Sequence, residues 1–102
     1  MKVFTQSVNF TADKKLLDYI EKKIEGLEKF HDKIVDVEVF LKVQKTSEKE
    51  NKITEVKINI PGNELMIKKV NKTFEEGISV AVDSLKRSLK KSKEKLRDSL
   101  VS

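Results

Sequence analysis

The chain has 102 residues and a net charge of +5, and it contains no cysteine. The missing cysteine excludes disulfides, zinc–thiolate sites and thiol chemistry, and it fits a reducing cytoplasm. No apolar run is long enough to cross a bilayer, and the first ten residues lack the apolar core of a signal peptide. We therefore expect one soluble cytoplasmic domain, residues 1–102, whose partners are polyanions: nucleic acid first, an anionic membrane surface second.

The first two predicted elements are a strand and an amphipathic helix. Residues 2–10 are rich in β-branched and aromatic types and have no helical period, which predicts a strand. Thr11 is the expected N-cap of a helix over about residues 12–30. The apolar face of this helix consists of residues at helical spacing, with two aromatic residues at one border: Leu16, Leu17, Ile20, Ile24 and Leu27, then Tyr19 and Phe30.

Charged residues on this helix are sorted onto two flanks. The acidic flank contains four carboxylates: Asp18, Glu21, Glu25 and Glu28. The basic flank contains Lys15, Lys22 and Lys29, which recur every seven residues. A basic flank of this kind is suited to contacts with phosphates through charge.

Three strands follow. From Ile34 the apolar period changes from 3.6 to 2, and the clearest strand of the chain places these residues on one face: Val35, Val37, Val39, Leu41 and Val43. Residues 45–52 are polar and predict a hairpin loop. The next strand alternates in the same way, with Thr54, Val56, Ile58 and Ile60 on one face. Pro61, Gly62 and Asn63 predict a tight turn into a last strand, Glu64–Val70, whose Leu65 and Ile67 face the core.

The last predicted element is a long helix. Thr73, with Glu76 three residues later, fits a capping box and predicts a helix start. Apolar residues then fall within one sector about 100° wide, as expected of a helix that lies on a core: Phe74, Ile78, Ala81, Val82, Leu85 and Leu89.

This helix also carries the whole charge imbalance of the protein. Residues 86–102 have a net charge of +5, whereas the acids and bases of residues 1–85 cancel. A ridge of four bases runs beside the apolar stripe, at Lys86, Lys90, Lys93 and Arg97, and Arg87 and Lys91 lie further round. Two or three bases would satisfy the helix dipole. The excess predicts a binding surface for a polyanion.

The predicted order of elements is β-α-β-β-β-α. The first crossover predicts a parallel pair, and the later short turns predict antiparallel pairs. Both helices are expected on one face, because the other strand positions are largely polar: Asp36, Glu38, Lys42, Glu55, Lys57, Asn59 and Lys68. The fold class is therefore α+β, a two-layer sandwich with a four-stranded mixed sheet. Phe4 and Phe40 are expected on the polar face, together or against the hairpin.

Catalytic and cofactor motifs are not found in the sequence. His31 is the only histidine and has no recognisable partner, so we expect it in a surface or capping role. The three glycines are scattered, and no Gly-rich phosphate loop exists. We expect a protein that is not an enzyme and that takes no cofactor, metal or small-molecule substrate.

Two common RNA-binding modules fit poorly. An RNA-recognition motif stacks bases on exposed sheet aromatics, whereas this exposed face is mostly charged. A double-stranded-RNA-binding domain has the related order α-β-β-β-α and places bases at the start of its last helix. Here that start carries Glu75 and Glu76. We expect contacts from the helix flanks, which meet phosphates without strong sequence selectivity.

Three segments carry a resemblance to a known family. They are Lys22-Lys23 with Leu27-Glu28-Lys29-Phe30, the turn and strand from Ile60 to Leu65, and the basic segment from Leu85 to Lys95. The last is similar to the pattern L-x-R-x-L-x-K-x-K-x-K. In order and spacing these segments resemble the short ribosome hibernation-promoting factor family, which includes the ribosome-associated inhibitor called protein Y. The chain differs at Lys72-Thr73-Phe74, where the family usually has an acid, then Met or Leu, then Tyr. The small residue that follows this segment is Gly77 here.

The resemblance implies a function. It implies that the protein binds the small ribosomal subunit and its rRNA in the mRNA and tRNA channel and so silences idle ribosomes. We expect the protein to be monomeric when free and to have no C-terminal dimerisation domain. The implied rRNA contacts are Lys22, Lys29, Lys86, Arg87, Lys90, Lys91, Lys93 and Lys95, to which the basic flank adds Lys15. Three alternatives remain open: a generic double-stranded-RNA-binding module, a protein of anionic membrane surfaces with no spanning segment, and an unrecognised enzyme.

Overall fold

A computed structural model describes the backbone of residues 1–101 and the side chains of residues 1–92. Its helices and strands confirm the predicted order β-α-β-β-β-α. In chain order they are β1 (Lys2–Val8), α1 (Lys14–Glu25), a short 3₁₀ helix (Gly26–Lys29), β2 (Asp36–Val43), β3 (Lys52–Ile60), β4 (Asn63–Asn71) and α2 (Phe74–Val101).

The four strands form one mixed sheet in the order β1-β2-β3-β4. As predicted, β1 pairs parallel to β2, and the other neighbours are antiparallel. The turn between β3 and β4 is tight, since Ile60 pairs directly with Asn63. Pro61 presets its own φ, and Gly62 has a φ of 75°, which fits the two central positions of a type II turn.

The core lies between the sheet and the two helices, which confirms the α+β sandwich. One face of β2 and β3 is fully buried through Val37, Val39, Val56 and Ile58. Leu65 and Ile67 of β4 are partly buried against the same core, as predicted. The helices supply the second layer, and the whole predicted apolar stripe of α2 is buried: Phe74, Ile78, Ala81, Val82, Leu85 and Leu89. Leu17 was expected on the apolar face of α1, but it is 38% exposed.

The boundaries of α1 differ from the prediction. Its N-cap is Asp13, not Thr11, because the Asp13 carboxylate accepts a hydrogen bond from the Leu16 N–H at 2.8 Å. The regular helix ends at Glu25, and the chain tightens into the 3₁₀ helix from Gly26. By contrast, α2 begins where the capping box placed it, and the Glu76 N–H donates to the Thr73 hydroxyl at 3.1 Å.

His31 is buried, so the expected surface role is wrong. Only 2% of the residue is exposed. Its Nδ1 accepts a hydrogen bond from the Lys33 N–H at 3.1 Å, which stabilises the turn between the 3₁₀ helix and β2. This contact is local, as in the alternative capping role, but it lies under the surface.

The open face of the sheet contains more apolar surface than the sequence suggested. Phe4 is 54% exposed, and Phe40 is half-buried in the neighbouring row of the β1–β2 register. Met66 and Val70 of β4 lie on the same face and are also exposed. No helix within the described part of the chain has the length and apolar character needed to cross a membrane.

Candidate nucleic-acid interface

The two helices lie side by side and run in the same direction. Near the start of α2, the Tyr19 hydroxyl of α1 donates to the carbonyl oxygen of Glu75 at 3.5 Å. Further along both elements, the ring of Phe30 meets Lys86 and Lys90 of α2. Because the contacts advance in the same order along both segments, the basic part of α2 lies beside the end of the first helical segment.

Phe30 joins the two segments through cation–π contacts. The Lys86 Nζ lies 5.4 Å and the Lys90 Nζ lies 5.1 Å from the centre of the Phe30 ring. Each such contact contributes about 0.5–1 kcal/mol at a partly exposed site. The ring therefore attracts two ammonium groups to the junction of the helices.

The position of this pair follows from the packing of α2. Leu85 and Leu89 are buried at 2% and 0% exposure and fix the rotation of the helix. Lys86 and Lys90 each come one residue later, at the border of the buried stripe. Lys86 also lies 3.9 Å from Asp83, whose side chain is 70% exposed. Such an exposed pair contributes little to stability, and Lys90 has no ion-pair partner among the described side chains.

The start of α2 approaches the sheet closely at Gly77. A Cβ atom on Gly77 would lie 2.5 Å from the Thr54 hydroxyl oxygen and 3.2 Å from its Cβ. Thr54 is fully buried in β3. The absence of a side chain at Gly77 therefore lets α2 pack directly onto β3.

The basic flank of the first helix ends beside this junction. Lys22 and Lys29 are exposed, and Lys29 directly precedes Phe30. Glu28 of the acidic flank forms an ion pair with the terminal amine of Met1 at 3.1 Å, on the side of β1. This carboxylate therefore lies away from the junction with α2.

Lys15 is the predicted site residue that lies apart from this junction. It comes about 20 Å before Lys29 along the helix axis. Because Tyr19 contacts Glu75, Lys15 lies near the acidic first turn of α2, not near its basic ridge. The structure thus brings Lys22 and Lys29 closer than Lys15 to the ridge.

Arg87 and Lys91 extend the basic surface round α2. Both are exposed, and neither takes part in an ion pair among the residues whose side chains are described. Lys93 and Lys95 are also predicted contact residues, but their side chains lie outside the part of the chain whose side chains the structure describes.

The sequence did not reveal what Phe30 does. Its position at the border of the apolar face was visible, but an aromatic residue at such a border packs on a core in most helices. The available signal was the combination of that border position with lysines four residues apart on another helix. Only the relative position of the two helices shows that these groups meet.

The arrangement suits the binding of phosphates. Exposed ammonium and guanidinium groups bind phosphate oxygens by charge-assisted hydrogen bonds. Among the described side chains, no cluster of three or more His, Asp or Glu residues offers a site for a metal ion.

Comparison with known proteins identifies the family. A family model described as Sigma 54 modulation protein / S30EA ribosomal protein matches residues 3–97. The chain belongs to this family. Its relatives include a protein of Pseudomonas putida named ribosome hibernation promoting factor, which is 33% identical over 95 residues, 93% of this chain and 89% of the relative. A protein of the same name from Azotobacter vinelandii is 34% identical over 78% of this chain and 71% of the relative.

One further relative and two solved structures extend the comparison. A ribosome hibernation promotion factor of Deinococcus radiodurans is 30% identical over 83% of this chain, which corresponds to 45% of the relative. A ribosomal subunit interface protein from Coxiella burnetii has a similar solved structure, with a TM-score of 0.81 and 17% identity over 92% of this chain and 99% of the other. The N-terminal domain of Thermus thermophilus Protein Y gives a TM-score of 0.71 at 22% identity, over 88% and 93% of the two chains. These two structures confirm the fold.

Proposed function

We propose that this protein is a ribosome hibernation factor that binds the small ribosomal subunit in the channel for mRNA and tRNA. Its membership of the S30EA family and the names of its relatives support the link to ribosome hibernation. Bound in that channel, the protein excludes mRNA and tRNA by occupying their space. The mechanism needs no bond to be made or broken.

The contact is made between phosphates of rRNA and the basic side of the two helices. The proposed contact residues are Lys22, Lys29, Lys86, Arg87, Lys90 and Lys91, with Lys93 and Lys95 further along α2 and Lys15 at the other end of α1. Lysine and arginine on helix flanks bind the backbone without reading base edges. Affinity therefore falls steeply as salt rises, because counterions are released on binding.

The observation that supports this proposal most is the junction at Phe30. A basic helix end alone is common and serves solubility. Here two helices from distant parts of the chain lie side by side, and an aromatic ring at the end of one lies beneath two ammonium groups of the other. We infer that the bases of both helices form one surface, which a polyanion can contact as a unit.

Sedimentation with ribosomes tests the proposal. The purified protein is mixed at low salt with small subunits, with large subunits, with an RNA duplex of about two helical turns or with vesicles rich in anionic lipid. We expect it to move with small subunits through a sucrose gradient, and to be released by mRNA with bound tRNA. If the protein stayed at the top of the gradient in the presence of small subunits, or bound the RNA duplex or the vesicles more tightly than small subunits, the proposed function would be wrong.

A further inference from the structure

The face of the sheet opposite the helices contains an open groove. It lies where β2 ends and β3 begins and encloses about 600 Å³. Lys42, Lys45 and Lys68 line it, together with Ile53 and Val43. Asn9 forms part of its wall, where a left-handed φ of 64° turns the chain away from the end of β1. A groove of this volume accommodates one or two side chains of a partner.

The lysines of this groove form no ion pair with a carboxylate among the described side chains. Among the ion pairs of residues 1–92, none involves Lys42, Lys45 or Lys68, and no carboxylate lines the groove. The nearest acid in the register is Glu55, which lies opposite Lys68 without forming an ion pair. By contrast, Lys57 on the same face lies 3.7 Å from a carboxylate oxygen of Glu38 and 3.7 Å from one of Glu64.

Apolar side chains are exposed on this sheet face, both in the row of Lys42 and Ile53 and two rows away from it. Ile53 lies opposite Val70, which is 40% exposed. Met66 is 62% exposed and Phe4 is 54% exposed, and both belong to the same row of the sheet. Exposed apolar groups clustered on one face indicate a binding surface for protein, in which aromatic residues and methionine are enriched.

The remaining charges of this face disfavour nucleic acid. Four carboxylates lie on it: Asp36, Glu38 and Glu64 in the rows away from the groove, and Glu55 in the row of Lys68. They would repel a phosphate backbone laid across the sheet. A short acidic peptide that contacts only the lysine end avoids this repulsion.

We propose that the open sheet face is a second docking site, which binds an acidic protein segment with an apolar anchor. Carboxylates of the segment contact Lys42, Lys45 and Lys68, and an aliphatic or aromatic side chain enters the groove over Ile53. The site lies on the sheet face opposite the helices, so it is independent of the proposed ribosome contact. A bound ribosome and a bound peptide then occupy opposite faces of the protein.

An NMR titration of the isotope-labelled full chain tests this site. The probe is an eight-residue peptide of alternating glutamate and leucine, added to about 2 mM, so that a millimolar Kd is detected. We expect the largest amide shift changes at residues 42–45, 53 and 68, and none along α2. Replacing Lys42, Lys45 and Lys68 by Ala should weaken binding about tenfold, as three exposed charge contacts are lost.

Two control ligands and one control variant sharpen the test. The same peptide with serine in place of leucine should bind more weakly, and the variant Lys86→Ala/Lys90→Ala should bind the original peptide unchanged. The proposal is overturned if the groove amides do not respond, if the serine peptide binds equally well, or if a single-stranded oligouridylate shifts these amides more than the peptide does. Circular dichroism and ribosome sedimentation of the groove variant establish that it is folded.

Discussion

Phe30 is the residue through which the basic surface of one helix meets that of the other. Its ring lies beneath the ammonium groups of Lys86 and Lys90, while its neighbour Lys29 ends the basic flank of the first helix. The ring is partly buried against the core, so its position is fixed by packing. The aromatic ring at this one site therefore contacts two lysines of α2.

A double-mutant cycle measures this contact. Phe30→Leu keeps an apolar side chain but removes the ring, and Lys90→Met keeps an unbranched stem but removes the charge. We expect a coupling of about 0.5–1 kcal/mol in the free energy of urea unfolding. Each single substitution already removes the cation–π contact, so the double variant loses less than the sum of the two single losses. Additive effects of the two substitutions would mean that the ring and the ammonium group do not interact.

Gly77 and Gly26 provide a matched pair of glycines. Gly77→Ala should destabilise the protein by about 1–3 kcal/mol, because the new methyl group overlaps the buried Thr54 hydroxyl. Gly26→Ala should be neutral or stabilising by up to about 1 kcal/mol, because no atom lies within 4 Å of the new methyl and its φ of −60° suits alanine. Thermal melting of both variants tests this. Equal melting temperatures would show that α2 does not need this close approach.

Sequence periodicity correctly predicted the strands and the helix that pack one face against the core. The alternation in β2 and β3 and the stripe of α2 each bury one face, as predicted, except that Val35 and Val43 at the two ends of the predicted strand are exposed. The start of α1 was placed at the wrong cap, because Thr11 and Asp13 both have side chains that cap helices. The choice depends on which side chain reaches a free backbone N–H, and that is a matter of local geometry.

The contacts between elements were the part that the sequence did not provide. Helical spacing gave the basic flank containing Lys22 and the ridge containing Lys90, but not the fact that the two helices are parallel neighbours. It also did not distinguish Lys15, which lies beside the acidic start of α2. On the open face, the strand register brings Met66 and Phe4 into one row, a relation between strands that are distant in the chain.

The basic face of α2 is tested by removing three charges. Replacing Arg87, Lys90 and Lys91 by Ala should change stability by about 0.5 kcal/mol or less at each exposed site. Ribosome affinity should fall much more. Each lost phosphate contact lowers the slope of log affinity against log salt by about 0.7–0.9, so we expect the slope to flatten by about two.

The matched control removes the same number of charges from the opposite sheet face. Lys42, Lys45 and Lys68 replaced by Ala should leave ribosome binding and its salt dependence nearly unchanged. If this control and the α2 variant weakened binding equally, the effect would be one of net charge alone. Unchanged binding by the α2 variant would mean that its bases serve only solubility.

The whole molecule has two surfaces of different chemistry on its two layers. The helical layer carries exposed bases of both helices, and Glu28 of the acidic flank pairs with the terminal amine of Met1 on the side of β1. The sheet layer carries mixed charges, exposed apolar groups and one lysine-lined groove. A net charge of +5 therefore describes the protein poorly, because the surplus lies in residues 86–102. This separation predicts that the helical layer faces rRNA and the sheet layer faces away from it.

Site-specific photo-crosslinking tests this orientation most directly. A photoreactive phenylalanine analogue replaces Asp83, which lies beside the ridge without being a proposed contact, or Met66 on the open sheet face. After irradiation with small ribosomal subunits, we expect crosslinks to rRNA from position 83 that disappear when mRNA and tRNA fill the channel, and few or none from position 66. Crosslinks to rRNA from position 66 alone, or crosslinks from position 83 that persist in the filled channel, would contradict the account.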